Sequence, residues 1–155
     1  MIPAGAALVA VLVLAEQAPD AVAPPGSGRD RAIAALHARA AMATLGTRDA
    51  ARLSGELERI GAAYLAEGDL GRSTELLSEA YALDEENGLV LAELTLCYVR
   101  AGDLDFAQFY LRRAQERVSR APAEIYAVLG DAYLGLHRLD DAVLAWSEFF
   151  RFGGI

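Results

Sequence analysis

Lysine is missing from this chain: all 14 basic residues are arginine, set against 22 acidic ones, for a net charge of −8. All-arginine usage reads as the habit of a GC-rich bacterial genome. Surplus acid excludes direct nucleic-acid binding, which needs basic surface to displace counterions. No aromatic–basic stripe of the single-strand-binding kind offsets it. Cysteine occurs once, as Cys97, so no intrachain disulfide can form, and its apolar neighbours make it a small core residue. Histidine occurs only as His37 and His137, neither beside a nucleophile in sequence. Ser-His-acid sets, HExxH, CxxC, CxxCH and phosphate-binding glycine loops are all lacking. Asp84-Glu85-Glu86 and Asp140-Asp141 are acidic runs without calcium-loop spacing, read as solvated helix ends. The expectation is a non-enzymatic chain with no catalytic residue, no cofactor and no metal site. Runs of β-branched residues are also lacking, which removes strands and leaves an all-α chain.

What is there is repetition. Leu57, Ile60, Gly61, Tyr64, Gly68-Asp69-Leu70, Ser73, Leu76, Leu77 and Ala80 recur 34 residues on as Leu91, Leu94, Thr95, Tyr98, Gly102-Asp103-Leu104, Ala107, Tyr110, Leu111 and Ala114. A third copy follows 35 residues later: Tyr126, Leu129, Gly130, Tyr133, His137-Arg138-Leu139, Ala142, Ala145, Trp146 and Phe149. Each half follows the i, i+3, i+4, i+7 spacing of an amphipathic helix. Two such helices per copy, repeated at this period, predict a helical-hairpin solenoid. Small residues (Gly61, Gly130, Ser73, Ala107, Ala142) let paired helices approach, and Tyr64, Tyr98, Tyr133, Leu77, Leu111 and Trp146 fill the flanks. Gly68-Asp69 and Gly102-Asp103 read as a left-handed stop followed by an N-cap. His137-Arg138 at the third turn specifies it less well.

This pattern resembles the tetratricopeptide repeat (TPR) family: a large residue, Leu-Gly, Tyr, a Gly-Asp-like turn, Ala, an aromatic and Ala. The resemblance covers residues 54–152, as three repeats of about 54–87, 88–122 and 123–155. Thr95, Ser73 and Phe149 depart from it, and the repeat-ending proline survives only as Pro122. It implies a right-handed superhelix whose first helices line a concave groove that holds another polypeptide. Groove-facing positions are then Glu58, Ala62, Leu65, Leu89, Ala92, Leu96, Val99, Glu124, Ala127, Asp131 and Leu134. Family members that clamp a terminal carboxylate use Lys and Asn there. With no lysine and only Asn87, this chain is expected to take an apolar or basic segment instead. Its own N-terminal region competes for the place.

The ends differ from the repeats. Residues 1–28 form an uncharged apolar stretch over 2–15 and then a Pro/Gly-rich linker. The stretch is short for a membrane span but matches the core of a secretory signal, without the preceding positive charge. Removal of residues 1–15 or 1–23 and retention as a membrane anchor both stay open. Residues 29–53 carry five Arg against two Asp, whereas 54–152 carry nine Arg against eighteen acids. A helix over 31–45, with Ile33, Leu36 and Ala40 on one side and Gly46 as its stop, is expected to cover the first repeat. His37 on it is expected to be solvated. The last helix, about 139–152, bears two apolar stripes, Ala142-Ala145-Phe149-Phe152 and Leu139-Val143-Trp146-Phe150. One suffices for its own hairpin, so Val143, Trp146, Phe150 and Phe152 are expected to dock a partner or a second copy of the chain. The expected function is a TPR adaptor in a periplasmic or membrane-anchored complex of the cell envelope. The alternative is a small acidic TPR chaperone in the cytoplasm that shields apolar segments of a secreted protein.

Overall fold

The computed structural model describes residues 28–152, which form seven α-helices, one 3-10 turn and no strand. The helices are α1 (Gly28–Ala40), α2 (Arg48–Glu67), α3 (Leu70–Leu83), α4 (Gly88–Ala101), α5 (Leu104–Arg117), α6 (Glu124–Gly135) and α7 (Leu139–Arg151), with the 3-10 turn at Val118–Arg120. By compactness the chain divides into Met1–Ala32 and Ile33–Ile155. Of the first unit only Gly28–Ala32, the start of α1, is described. The expected signal or anchor, the Pro/Gly linker and residues 153–155 lie outside the described residues.

In the second unit α2 packs on α3, α4 on α5 and α6 on α7, while α4 also touches α2, α3 and α6. The turns show how closely the three pairs repeat. Gly68 and Gly102 adopt left-handed conformations, with φ of 83° and 80°. The next residue's amide reaches five residues back: Asp69 N donates to Tyr64 O, Asp103 N to Tyr98 O and Arg138 N to Tyr133 O, each at 2.9 Å. The three tyrosines therefore occupy equivalent sites. Asp69 and Asp103 then cap α3 and α5, accepting from Arg72 N (3.1 Å) and Phe106 N (3.3 Å). The third turn reaches the same geometry without glycine. His137 takes the left-handed position at φ 58°, and Arg138 makes no side-chain cap.

Close approach within the pairs follows the small residues. Ser73 Oγ donates to Gly61 O at 2.9 Å, a bond that needs the two backbones nearly in contact. A methyl group on Gly61 would stand 2.8 Å from Leu77 Cγ, and one on Gly130 2.2 Å from Trp146 Nε1. Thr95, at the equivalent place on α4, is wholly buried and turns its hydroxyl to Leu91 O (2.8 Å). The central helix α4 is covered all round: residues 90–97 are buried without a break. It belongs to both apolar cores, giving Val90, Leu94, Leu96 and Cys97 to one and Leu91 and Ala92 to the other. A helix apolar on every side can only be interior.

The N-terminal helix is shorter than its periodicity predicts. Ile33, Leu36 and Ala40 do pack against the first core, but α1 stops at Ala40 rather than near residue 45. Beyond Ala40 the side chains have little to bury: Met42 and Leu45 are exposed. Gly46 turns left-handed, and Thr47 caps α2 through Ala50 N (3.2 Å). Helix α2 thus begins six residues ahead of the repeat pattern, burying Ala50 and Leu53 as it does so. His37 is not simply solvated, because its Nδ1 pairs with the Glu79 carboxylate of α3.

His137 marks the place where the fold can be improved. A left-handed residue with a side chain costs about 1–2 kcal/mol, and glycine's extra freedom in the unfolded chain takes back about 0.5–1 kcal/mol. His137→Gly is therefore expected to raise stability by about 0.5–1 kcal/mol in urea denaturation. Unchanged or lower stability would mean that the His137 side chain contributes something at this turn beyond its conformation.

Candidate functional site

The groove positions separate by burial. Leu65, Ala92 and Leu96 lie in the cores and offer no surface. Ala62, Leu89, Val99 and Ala127 are half-buried, while Asp131 and Leu134 are exposed. Val99 is partly committed to packing, since a methyl on Gly135 would meet its Cγ1 at 2.3 Å. What remains open on the first helices is thus a mixed strip rather than an apolar one.

Beside that strip lies a residue the repeat pattern does not single out. Glu93 of α4 is only 5% exposed, and its Oε2 has no hydrogen-bond partner. Its carboxyl shares a hydrogen bond with half-buried Glu58 of α2. Burial, reinforced by the facing Glu58 carboxylate, pushes Glu93 up to about 9. Burial raises Glu58 as well, and Glu124 of α6 adds to this by repulsion, while the Glu93 hydrogen bond and Arg59 oppose it. Two carboxyls this close hold a proton between them near neutrality. The sequence did carry a signal for Glu93: it is the one charged residue in the otherwise apolar run 89–99 of a helix buried on all sides.

Helix α7 presents the second candidate surface. Ala142 and Ala145 are buried, Trp146 folds over Gly130, and Phe149 is half-buried. The rest of the other stripe stays outside: Leu139, Val143 and Phe150, together with Leu144 from neither stripe, are all at least 60% exposed. Phe152 is also exposed, although its ring stacks on Tyr126 at 5.6 Å. Of the four expected docking residues, Trp146 turns inward, whereas Val143, Phe150 and Phe152 remain available.

A third feature, an aromatic strip, escapes the repeat signature because only some of its members are repeat positions. Tyr98 stacks on Phe106 (5.1 Å) and on Tyr110 (5.5 Å), and Tyr81 meets Tyr110 edge-on at 5.7 Å. Arg113 lies over both Tyr81 and Phe109, at 5.4 and 5.5 Å. Cys97 is buried with its Sγ 3.3 Å from Ser73 Oγ, and burial raises its thiol pKa. Among the described residues no group of three or more His, Cys, Asp or Glu is placed to hold a metal ion. No family model and no curated protein matches the chain.

The Glu58–Glu93 pair has a consequence for stability. The folded chain holds the Glu93 proton up to about pH 9, whereas the unfolded chain releases it near the ordinary 4.5. Folded molecules bind the extra proton across that window, so stability falls as pH rises from about 5 to 9. Glutamine copies the protonated acid and still donates to Glu58. In thermal melts, Glu93→Gln is expected to remove part of the wild-type decline between pH 5 and 9 and to be the more stable form at pH 9. Parallel pH profiles for the two proteins would contradict a buried shared proton.

Proposed function

We propose that this chain is a TPR-like helical-hairpin solenoid that works as a non-enzymatic adaptor, holding other polypeptides within a membrane-associated or periplasmic complex. The observation that carries this is the apolar face of α7. Leu139, Val143, Leu144 and Phe150 lie in solvent, as does Phe152, on or just beyond a helix whose Ala142 and Ala145 already pack into its own pair. Burying a large apolar side chain is worth about 1.5–3 kcal/mol, so this face forgoes several while it stays wet. Large apolar residues left exposed in such number on one short helix mark an interaction site. The tyrosine-anchored turns, repeated three times with the same backbone bond, support the TPR resemblance. In that family the first helices line the groove, which here would bring Ala62, Leu89, Ala127, Asp131 and Leu134 to the ligand.

The envelope assignment rests on sequence. Among the described residues no helix is long and apolar enough to cross a membrane. A tether or export signal would therefore be the apolar stretch 2–15.

Val143→Ser with Phe150→Ser tests the adaptor. Both side chains are more than 60% exposed, so stability should change by no more than about 0.5 kcal/mol per site. A tagged full-length chain, purified from detergent-solubilised membranes of its source, is expected to bring down a partner that the double variant loses. Equal recovery by wild type and variant would remove α7 from the interface.

A further inference from the structure

Two of the first helices bring carboxyls together at one unsatisfied spot, and the third adds negative charge at longer range. Glu58 comes from α2, Glu93 from α4 and Glu124 from α6, one from each of the three successive pairs. Glu93 is buried, its Oε2 meets no donor, and neither Glu58 nor Glu93 makes an ion pair among the described residues. Arg59 of α2, the cation that acts on Glu58, donates its Nε to Gly55 O at 3.2 Å. Stability gives no reason to keep an acid there. The positions equivalent to Glu93 in the other repeats are Arg59 and Val128, and Val128 packs against both cores. A buried, incompletely satisfied carboxyl costs stability that an apolar residue would keep.

We propose that Glu58 and Glu93 form a receptor for one cationic side chain, a guanidinium or ammonium carried by the bound polypeptide. Glu58, half-buried, meets the cation at the mouth, Glu93 lies behind it, and Glu124 adds attraction from the rim. An organic cation fits better than a metal ion, because no metal-holding group of three ligands exists among the described residues. Arginine fits best, since its planar fork can bond two carboxylate oxygens at once. The proton balance is explicit. Near neutrality the pair holds one proton and one negative charge; the incoming cation takes its place, and one proton leaves to solvent. The titratable groups facing Glu93 are Glu58 on α2 and Cys97 one turn along α4, while Arg59 on α2 and Glu124 on α6 act on Glu58. This inference rests on the adaptor reading and names the chemistry of its groove ligand.

N-acetyl-arginine amide is the probe, with the isosteric neutral N-acetyl-citrulline amide as reference, titrated into the full chain by NMR. The arginine compound is expected to shift the Glu58 and Glu93 amides and to bind at least tenfold more tightly than citrulline. With one proton released per cation bound, its Kd is expected to tighten by about tenfold per pH unit between pH 6 and 8 as the proton becomes easier to displace. Glu58→Gln with Glu93→Gln should weaken it at least tenfold, with helicity by circular dichroism confirming the fold. Asp140→Asn with Asp141→Asn, which removes at least as much negative charge elsewhere, should change it less than twofold. Equal binding of both probes, a pH-independent Kd, or equal losses in the two double variants would each overturn the proposal. If arginine fails to bind while the α7-dependent partner is still recovered, the cation site falls and the adaptor stands. If neither is seen, both fall.

Discussion

Everything in this chain depends on how near two helices can come. Within the first pair the separation is set by Gly61 against Leu77, with Ser73 bonded across to the Gly61 carbonyl. Within the third it is set by Gly130 beneath the Trp146 ring. Such contacts leave no room for one more carbon, and interiors are packed densely enough to feel it. Side chains one turn away then fall into place, and the tyrosines reach the turns that end α2, α4 and α6. The second pair reaches its packing by another route: Thr95 satisfies its hydroxyl within its own helix, and Ala107 of α5 is wholly buried.

From that constraint follows the special position of α4. Helices pack around it on each side, so its polar atoms have only one another or a neighbouring helix to meet. Thr95 finds a carbonyl, Cys97 finds Ser73, and Asn87 at its N-cap reaches Ser54 on α2 (3.3 Å). Glu93 alone finds another acid. The same arrangement keeps Leu65, Ala92 and Leu96 out of reach, which leaves Glu58, Asp131, Leu134 and the half-buried small residues as the surface of the first helices. A ligand lying along that surface would meet negative charge and hydrocarbon together.

Much of the architecture was legible because period and turn chemistry are local. The 34-residue spacing announced the helices, and Gly68-Asp69 and Gly102-Asp103 announced their turns with the right conformations. His137 was the exception. Its left-handed backbone, at φ 58°, is one that residues with a side chain adopt far less readily than glycine, so only the neighbouring copies hinted at it. The end of α1 was misread because a stripe of apolar residues does not reveal where its partner surface stops. Burial along the first helices was equally hidden: the groove positions look alike in sequence, yet Leu96 is interior and Leu134 is not. That depends on how α2, α4 and α6 lie against one another. On α7 the two stripes were visible in advance, but which would turn inward was settled by Trp146 needing the space above Gly130.

Gly130→Ala puts the central constraint at risk most directly. Alanine should gain about 1 kcal/mol from helix propensity alone, so a helix with spare room would be stabilised. The new methyl would instead stand 2.2 Å from Trp146 Nε1, and overpacking of this kind costs about 1–3 kcal/mol. Trp146 is the single tryptophan, so its fluorescence reports on this contact alone. Close packing requires a lower unfolding midpoint together with a red-shifted emission as the ring is pushed toward water. A variant that melts higher than the parent with unchanged emission would show that α6 and α7 are not held together in this way.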